Sequence, residues 1–225
     1  MRSVGEVGLQ KSYAPEGYRD VIGSMLEEAN KLTRLVDSLL TIARADAGQI
    51  QLTPAVFPAN NLAQECASLF EALLEENGQR LILEAGPGEL MLRGDWLLLR
   101  QALVNIVHNA IKYTPRGGTV TLRVRSADEQ ALLEVVDTGP GIPENQLSRV
   151  FDRFYRVEEG RSGGSGGAGL GLAIARWSVE IHGGTVSAHS ADGNGCLFRI
   201  ALPAAQLAAT PFPQGTSDRL GILAT

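Results

Sequence analysis

"NIVHNAIKYTPRGG", residues 105–118, sets two asparagines and a lysine along one side of a segment that is otherwise apolar. Leu99, Ala102, Leu103, Ile106 and Ala110 recur at helical spacing and form one apolar stripe, which Val104, Val107 and Ile111 widen. Gln101, Asn105, Asn109 and Lys112 recur at steps of three or four and share the opposite side. Asp95 stands where it can cap this helix, Tyr113 is its last residue, and "TPRGG" breaks it. An ordinary exposed face favours Glu, Lys or Ala, because Asn forms helix less well. Two amides one turn apart, backed by an ammonium, suit a site that holds a cation and a phosphate together. Amide oxygens are hard ligands able to complete a Mg²⁺ shell alongside phosphate oxygens and water, and Lys112 offers charge to a terminal phosphate. Alone the stripe is a weak signal, since a solvated polar edge has the same spacing.

Two further motifs narrow the choice. In "EVVDTGPGIP" (134–143) Asp137 ends an apolar strand directly before a glycine-containing turn. A carboxylate held there can accept a hydrogen bond from an exocyclic amine, worth about 1.5–3 kcal/mol, and would oppose the oxo group of guanine. Gly139 and Gly141 let backbone approach a flat ring, and Ile142 supplies an apolar wall. In "GRSGGSGGAGLGLAIA" (160–175) glycines run straight into a strongly apolar helix. Their N–H groups can wrap anionic oxygens, and Gly169 and Gly171 enter the positive end of the helix dipole. No Gly-Lys-Ser/Thr follows, so this is not a Walker loop. The glycines follow a loop rather than a strand, so it is not a Rossmann turn.

Outside these motifs the chain divides in two. From residue 17 to 47 Ile22, Met25, Ala29, Leu32, Val36, Leu39 and Ala43 form a heptad seam suited to a coiled coil or four-helix bundle. "MRSVGEVGL" ahead of it reads as the last turns of a preceding helix, and "DAGQIQLTPAVFPAN" (46–60) as a hinge. Beyond the hinge "QIQLTP" reads as a strand and "NNLAQECASLFEALLEENG" (60–78) as one helix with an Asn cap and a Gly stop. "QRLILEA", "LMLRG", "TVTLRVRS" and "QALLEVVDT" read as strands, the last two joined by "ADE". Residues 149–169 read mostly as loop, "LGLAIARWSVEIHGG" (170–184) as a helix, and residues 185–203 as a hairpin turned on Asp-Gly-Asn-Gly. The tail after Pro203 lacks periodicity and is expected to be disordered. The sum is an α+β fold, one sheet with helices layered on one face.

Composition sets outer limits. The chain has 225 residues, 44% apolar, with a net charge of −5, which argues against a nucleic-acid surface. Cys66 and Cys196 have no metal-ligand partner at a useful spacing and read as reduced core thiols of a cytosolic protein. No run approaches the ~20 apolar residues that span a bilayer.

In order and spacing, the three motifs resemble the N, G1 and G2 boxes of sensor histidine kinases, with "FDRFYR" (151–156) in the place of the F box. These kinases share the Bergerat ATP-binding fold with gyrase and Hsp90. The resemblance runs from the first residues to about Pro203, and "LTRLVDSLLTIARADAG" (32–48) is similar to the second helix of the family's dimerisation and phosphotransfer hairpin. It implies a partial hairpin over 1–48, an ATP-binding domain of Bergerat α/β sandwich type over 49–203, and a tail over 204–225. It also implies that Asn109 ligates Mg²⁺ with support from Asn105, that Lys112 reaches the phosphates, and that Tyr113 lies along the nucleotide. Asp137 would bind the adenine amino group in a pocket shaped by Gly139, Gly141 and Ile142. Gly167, Gly169 and Gly171 would close over the phosphates, with Leu170 and Leu172 packing the helix beneath. Arg153 and Arg156 would approach the γ-phosphate or dock on the hairpin, and Phe151, Phe154 and Tyr155 would anchor the lid.

The resemblance further implies ATP and Mg²⁺ as cofactors, a homodimer through residues 17–47, and a response-regulator receiver domain as partner. The chain is expected to be cytoplasmic as written, with a parent kinase reaching the inner membrane through upstream spans. One departure matters. His108, His182 and His189 are the only histidines, and none lies in the family's His-Glu/Asp-x-x-x-Pro context. "RSVGEVGL" matches the region just after that box, so the chain alone is expected not to autophosphorylate. His108 lies on the nucleotide helix within reach of phosphate or metal-bound water, His182 suits a helix end through its dipole, and His189 reads as structural. Two alternatives remain open: a Bergerat ATPase of the chaperone or topoisomerase kind, and a truncated nucleotide-binding and dimerisation module without catalysis.

Overall fold

Alternation of apolar residues in the central strands decides which way the sheet faces. The computed structural model describes residues 15–86, 88, 90–157, 168–190 and 195–205. Helix α1 (Pro15–Asp46) leads through an irregular segment to β1 (Ala55–Pro58), α2 (Ala59–Ser68) and α3 (Glu71–Asn77). Then come β2 (Arg80–Glu84), β3 (Met91–Gly94), α4 (Trp96–Tyr113), β4 (Thr119–Ala127) and β5 (Gln130–Asp137). A short α5 (Glu144–Leu147), α6 (Gly171–Glu180), β6 (Thr185–Ser190) and β7 (Cys196–Pro203) complete the order. Five strands lie in the order β2-β4-β5-β7-β6, with β2 and β4 parallel and the other pairs antiparallel, while β1 and β3 pair separately.

Val120, Leu122 and Val124 on β4, Leu133 and Val135 on β5, and Phe198 and Ile200 on β7 point to one face. They join a core with Leu62 and Cys66 of α2, Leu99, Leu103 and Ile106 of α4, and Val179 of α6. The opposite face is polar. Glu84, Arg123, Glu134 and Arg199 lie in one cross-strand row, with Arg123 Nε 2.7 Å from Glu84 Oε2 and Arg199 Nη2 2.8 Å from Glu134 Oε1. Helices on one face and an ion-pair row on the other make the two-layer α+β sandwich expected from the strand patterning. Both cysteines are buried free thiols, and burial pushes the Cys66 thiol up to about 12.

Three local expectations need correction. Residues 49–54 are not a strand: pairing begins at Ala55, in register with Gly94, and Thr53 N–H instead donates to Asp95 Oδ2 at 3.0 Å. Residues 60–78 are two helices, broken at Leu69 and Phe70. Pro58, not an asparagine, is the N-cap of α2, although Gly78 does end α3 in the left-handed region at φ 60°. Helix α5 forms where no element was expected. The leading segment 1–14, most of the Gly-rich loop (158–167), the hairpin turn 191–194 and the tail from 206 lie outside the described residues.

Helix α1 is as long as its periodicity predicts, and its seam faces solvent: Ile22 is 55% and Val36 51% exposed. Among the described residues no helix is long and apolar enough to cross a membrane.

Helix α4 is fastened at both ends. Asp95 Oδ1 accepts the Leu98 N–H at 3.2 Å, and Thr114 Oγ1 donates to Ala110 O at 2.8 Å. Gln79, buried at the start of β2, donates from Nε2 to Ile111 O at 2.9 Å and also to Thr114 O. These carbonyls belong to the last turn, which has no intrahelical donors of its own. Replacing Gln79 with Ala leaves them buried without a donor and is expected to cost about 1–3 kcal/mol. Urea denaturation measures this, and an unchanged midpoint would contradict it.

Candidate nucleotide site

β5 ends in the core, so the carboxylate of Asp137 is carried inside with it, 4% exposed. Oδ1 accepts the Gly139 N–H at 2.8 Å and the Cys196 N–H at 3.3 Å. Burial pushes the carboxyl above its ordinary pKa, while the two N–H groups pull it part of the way back. Oδ2 has no hydrogen bond among the described residues. A buried carboxylate with one oxygen held by backbone and the other without a described partner can receive an N–H donor such as an exocyclic amine. The wall beside it tolerates no extra atoms. Gly195 sits at φ 76°, and a Cβ there would stand 1.9 Å from Asp137 O. Gly141 takes φ 82°, and Ile142, half-buried against the core, is tied by its N–H to Ser190 Oγ at 2.7 Å.

The three glycine-bearing motifs meet around α4. A Cβ on Gly139 would lie 2.8 Å from Asp137 Oδ1 and 3.0 Å from Tyr113 O, so the turn after β5 is pressed onto the end of α4. Gly171, the first residue of α6, lies against Asn105, its notional Cβ 3.5 Å from Asn105 Oδ1. Gly169 takes φ 72° and accepts the Phe154 N–H at 2.9 Å, which joins the segment after α5 to the same entry. Leu170, 2% exposed, and the half-buried Leu172 anchor α6 in the core. Gly167 lies outside the described residues.

On α4 itself Asn105 and Asn109 are half-buried, one turn apart. Asn105 Nδ2 is buried with no partner among the described residues. A buried amide without a partner costs free energy unless something else satisfies it, and a phosphate oxygen at the entry to α6 would do so. Turning the amide over presents its oxygen instead, the atom a metal ion would take. Among the described residues no cluster of three His, Cys, Asp or Glu could hold a metal. The amide oxygens of Asn105 and Asn109 are hard donors that fit Mg²⁺ arriving with phosphates, which keeps most of its shell from substrate and water. Lys112 and Tyr113 are exposed, with Nζ 3.3 Å from Tyr113 Oη and 4.9 Å from the ring centroid.

Residues 94–206, which hold every one of these groups, match the family model described as histidine kinase-, DNA gyrase B- and HSP90-like ATPase. The chain belongs to that family. Curated relatives that it matches carry the names sensor protein and sensor histidine kinase. Sensor protein IrlS of Burkholderia pseudomallei is 36% identical over 199 residues, covering 88% of this chain and 42% of that protein. Sensor histidine kinase CusS of Escherichia coli K12 is 38% identical over 204 residues, covering 88% and 41%. The crystal structure of full-length ShkA in complex with AMPPNP superposes with a TM-score of 0.72 at 29% identity, covering 90% of this chain and 43% of that one. The chain spans about two-fifths of the length of the curated relatives it matches. It is an ATP-binding catalytic domain of the histidine kinase class.

Not every residue assigned by resemblance to the kinase boxes sits as expected. Phe151 is buried and meets Phe198 edge to face at 6.3 Å, and Tyr155 donates to Gln146 Oε1 at 3.2 Å. Phe154 is no packing anchor: it is 64% exposed, in the left-handed region at φ 63°. Arg153, on a turn, and Arg156, in the irregular stretch after it, are both exposed just before residue 158. His108 is exposed, its ring 6.3 Å from that of Phe70, and His189 is exposed on β6. His182 does meet its helix end, with Nδ1 2.6 Å from Ser178 O in the last turn of α6, and it also reaches beyond it: its Nε2 accepts the Asp95 N–H at 2.8 Å. Gln79, Ser190, Gly195 and Cys196 support the site from a distance in sequence. Of these only Gly195, in a glycine-dense turn, left a visible sign.

Asp137→Asn keeps an oxygen for the Gly139 and Cys196 N–H groups, so the fold should survive. The unfolded chain ionises Asp137 at its ordinary pKa and the folded chain only at a higher pH, so ionisation favours unfolding. Thermal denaturation without nucleotide should therefore show the variant gaining on the unmodified chain as pH rises through the raised value, then holding a constant lead. A lead that instead grows toward acid pH would contradict the assignment.

Proposed function

We propose that this chain binds Mg²⁺–ATP between α4, the turn after β5 and the entry to α6. It presents the γ-phosphoryl to a histidine on a dimerisation hairpin, from which a response-regulator receiver aspartate takes it. The observation that carries this reading is the Asn105 side chain, whose Oδ1 lies against the glycine that opens α6 and whose Nδ2 is buried with no partner among the described residues. Asp137 accepts the adenine amino group. Gly139, Gly141 and Ile142 shape the base pocket, and Tyr113 lies along the nucleotide. Asn109 and Asn105 hold the metal with the phosphates, where Mg²⁺ supplies charge neutralisation for phosphoryl transfer.

Lys112 adds its charge at the terminal phosphates, and Gly167, Gly169, Leu170 and Gly171 form the closing loop and helix entry. Arg153 and Arg156 approach the γ-phosphate or the hairpin from an exposed stretch. Catalysis in this reading is positioning and electrostatics rather than covalent chemistry by the domain itself.

The exposed seam of α1 supports a homodimer through residues 17–47, since apolar positions such as Ile22 and Val36 gain burial only against a partner helix. The whole protein of which this is the cytoplasmic part would reach the inner membrane through segments upstream. A second reading, a nucleotide-binding and dimerisation module without catalysis, is separated from this one by the second experiment below.

Calorimetric titration with ADP and Mg²⁺ tests the pocket. Asp137→Asn places an N–H against the adenine amine and should weaken binding roughly 10- to 100-fold. Asn109→Ala should remove the dependence of affinity on Mg²⁺. Unchanged binding in both variants would refute the site. Mixing the chain with a hairpin fragment bearing the family's histidine separates the two readings. Acid-labile, base-stable phosphate should appear on the fragment and not on this chain alone. Its absence from the fragment, with nucleotide bound, favours the non-catalytic module.

A further inference from the structure

Helices α4 and α6 carry the phosphate-facing positions and run antiparallel. At one end Gly171 lies against Asn105. At the other, just past the end of α6, His182 reaches the N-cap of α4. The Asp95 N–H donates to His182 Nε2 at 2.8 Å, and His182 Nδ1 lies 2.6 Å from Ser178 O. A backbone amide only donates and a carbonyl only accepts, so the two bonds together require a neutral ring with its proton on Nδ1. Gly94 admits the ring: a Cβ there would stand 2.7 Å from His182 Cδ2. The same Asp95 caps α4 and takes the Thr53 N–H, so the ring joins a junction that already fixes the start of the helix.

The apolar contacts between α4 and α6 hold the helices together, but burial is non-directional and leaves sliding or rotation inexpensive. The His182 bond is directional, and it acts about 15 Å along α4 from Asn105, at the rise of a stiff helix. We infer that His182 is a positioning residue, which locks α6 to the N-cap of α4 and so keeps Gly169 and Gly171 in register with Asn105 and Asn109. The inference rests on the nucleotide reading above. It adds that the phosphate half of the site, and not the base half around Asp137, depends on this far-end contact.

The test compares ADP–Mg²⁺ with adenosine, which lacks phosphates, on the chain and two variants. His182→Asn can keep a donor for Ser178 O but falls short of Asp95, whereas His182→Gln can offer an oxygen to the Asp95 N–H. ADP affinity should fall about tenfold in His182→Asn, the scale of one lost hydrogen bond to a buried group. Adenosine affinity should stay within about twofold, and His182→Gln should recover most of the ADP affinity. Equal losses for both ligands, or no loss in His182→Asn, overturn the inference. If the unmodified, folded chain binds neither ligand, the nucleotide reading itself fails and this inference with it. Should His182→Asn not fold, the ¹⁵N ring shifts of His182 in the unmodified chain still decide: Nδ1 protonated and Nε2 bare are expected, and the opposite tautomer overturns the inference.

Discussion

A helix that buries one side and offers the other must be held at both ends, or its polar side points nowhere in particular. In α4 the apolar stripe from Leu99 to Ile111 is fully buried, which fixes rotation about the axis. Asp95 at the start, and Gln79 and Thr114 at the end, fix its position along the axis. Everything proposed for the site follows from that. Asn105 and Asn109 are where they are because hydrophobic burial on the opposite side leaves them no other place. The turn after β5 and the entry to α6 then press onto the same helix through Gly139 and Gly171, positions where backbone must come close.

The half of the proposed site around Asp137 obeys a different constraint. β5 could have ended in solvent, where a carboxylate costs nothing. Instead Asp137 is buried, with its ionisation made harder by desolvation and eased by two backbone N–H groups. The fold accepts a small loss of stability there, and local strain or cost of this kind persists where a site needs it. Gly195 is the other half of the same arrangement, since any side chain at that position would collide with the backbone of Asp137.

Much of this was legible from residue order. Periodicity predicts α1, α4 and α6 and strands β2 to β7 because each carries its own apolar pattern. Asp95 capping α4 and Gly78 ending α3 follow from local backbone chemistry. What escaped is what depends on distant partners. β1 begins at Ala55 because β3 sets its register, and nothing within "QIQLTP" shows this. The break between α2 and α3 falls at Leu69 and Phe70, residues that would continue a helix by propensity. Gln79 meets carbonyls more than thirty residues away, and His182 meets an amide further off still. Phe154 looks like core by composition, yet its left-handed backbone, paired to Gly169, turns it outward.

The central claim is that the amide stripe of α4 faces metal and phosphate together. Side-chain amide NMR signals of Asn105 and Asn109, followed with Mn²⁺ in place of Mg²⁺, test it most directly. The account predicts that both signals broaden when Mn²⁺ is added with ADP, and much less when it is added with adenosine. Signals that stay sharp with Mn²⁺ and ADP, although ADP binds, would contradict it.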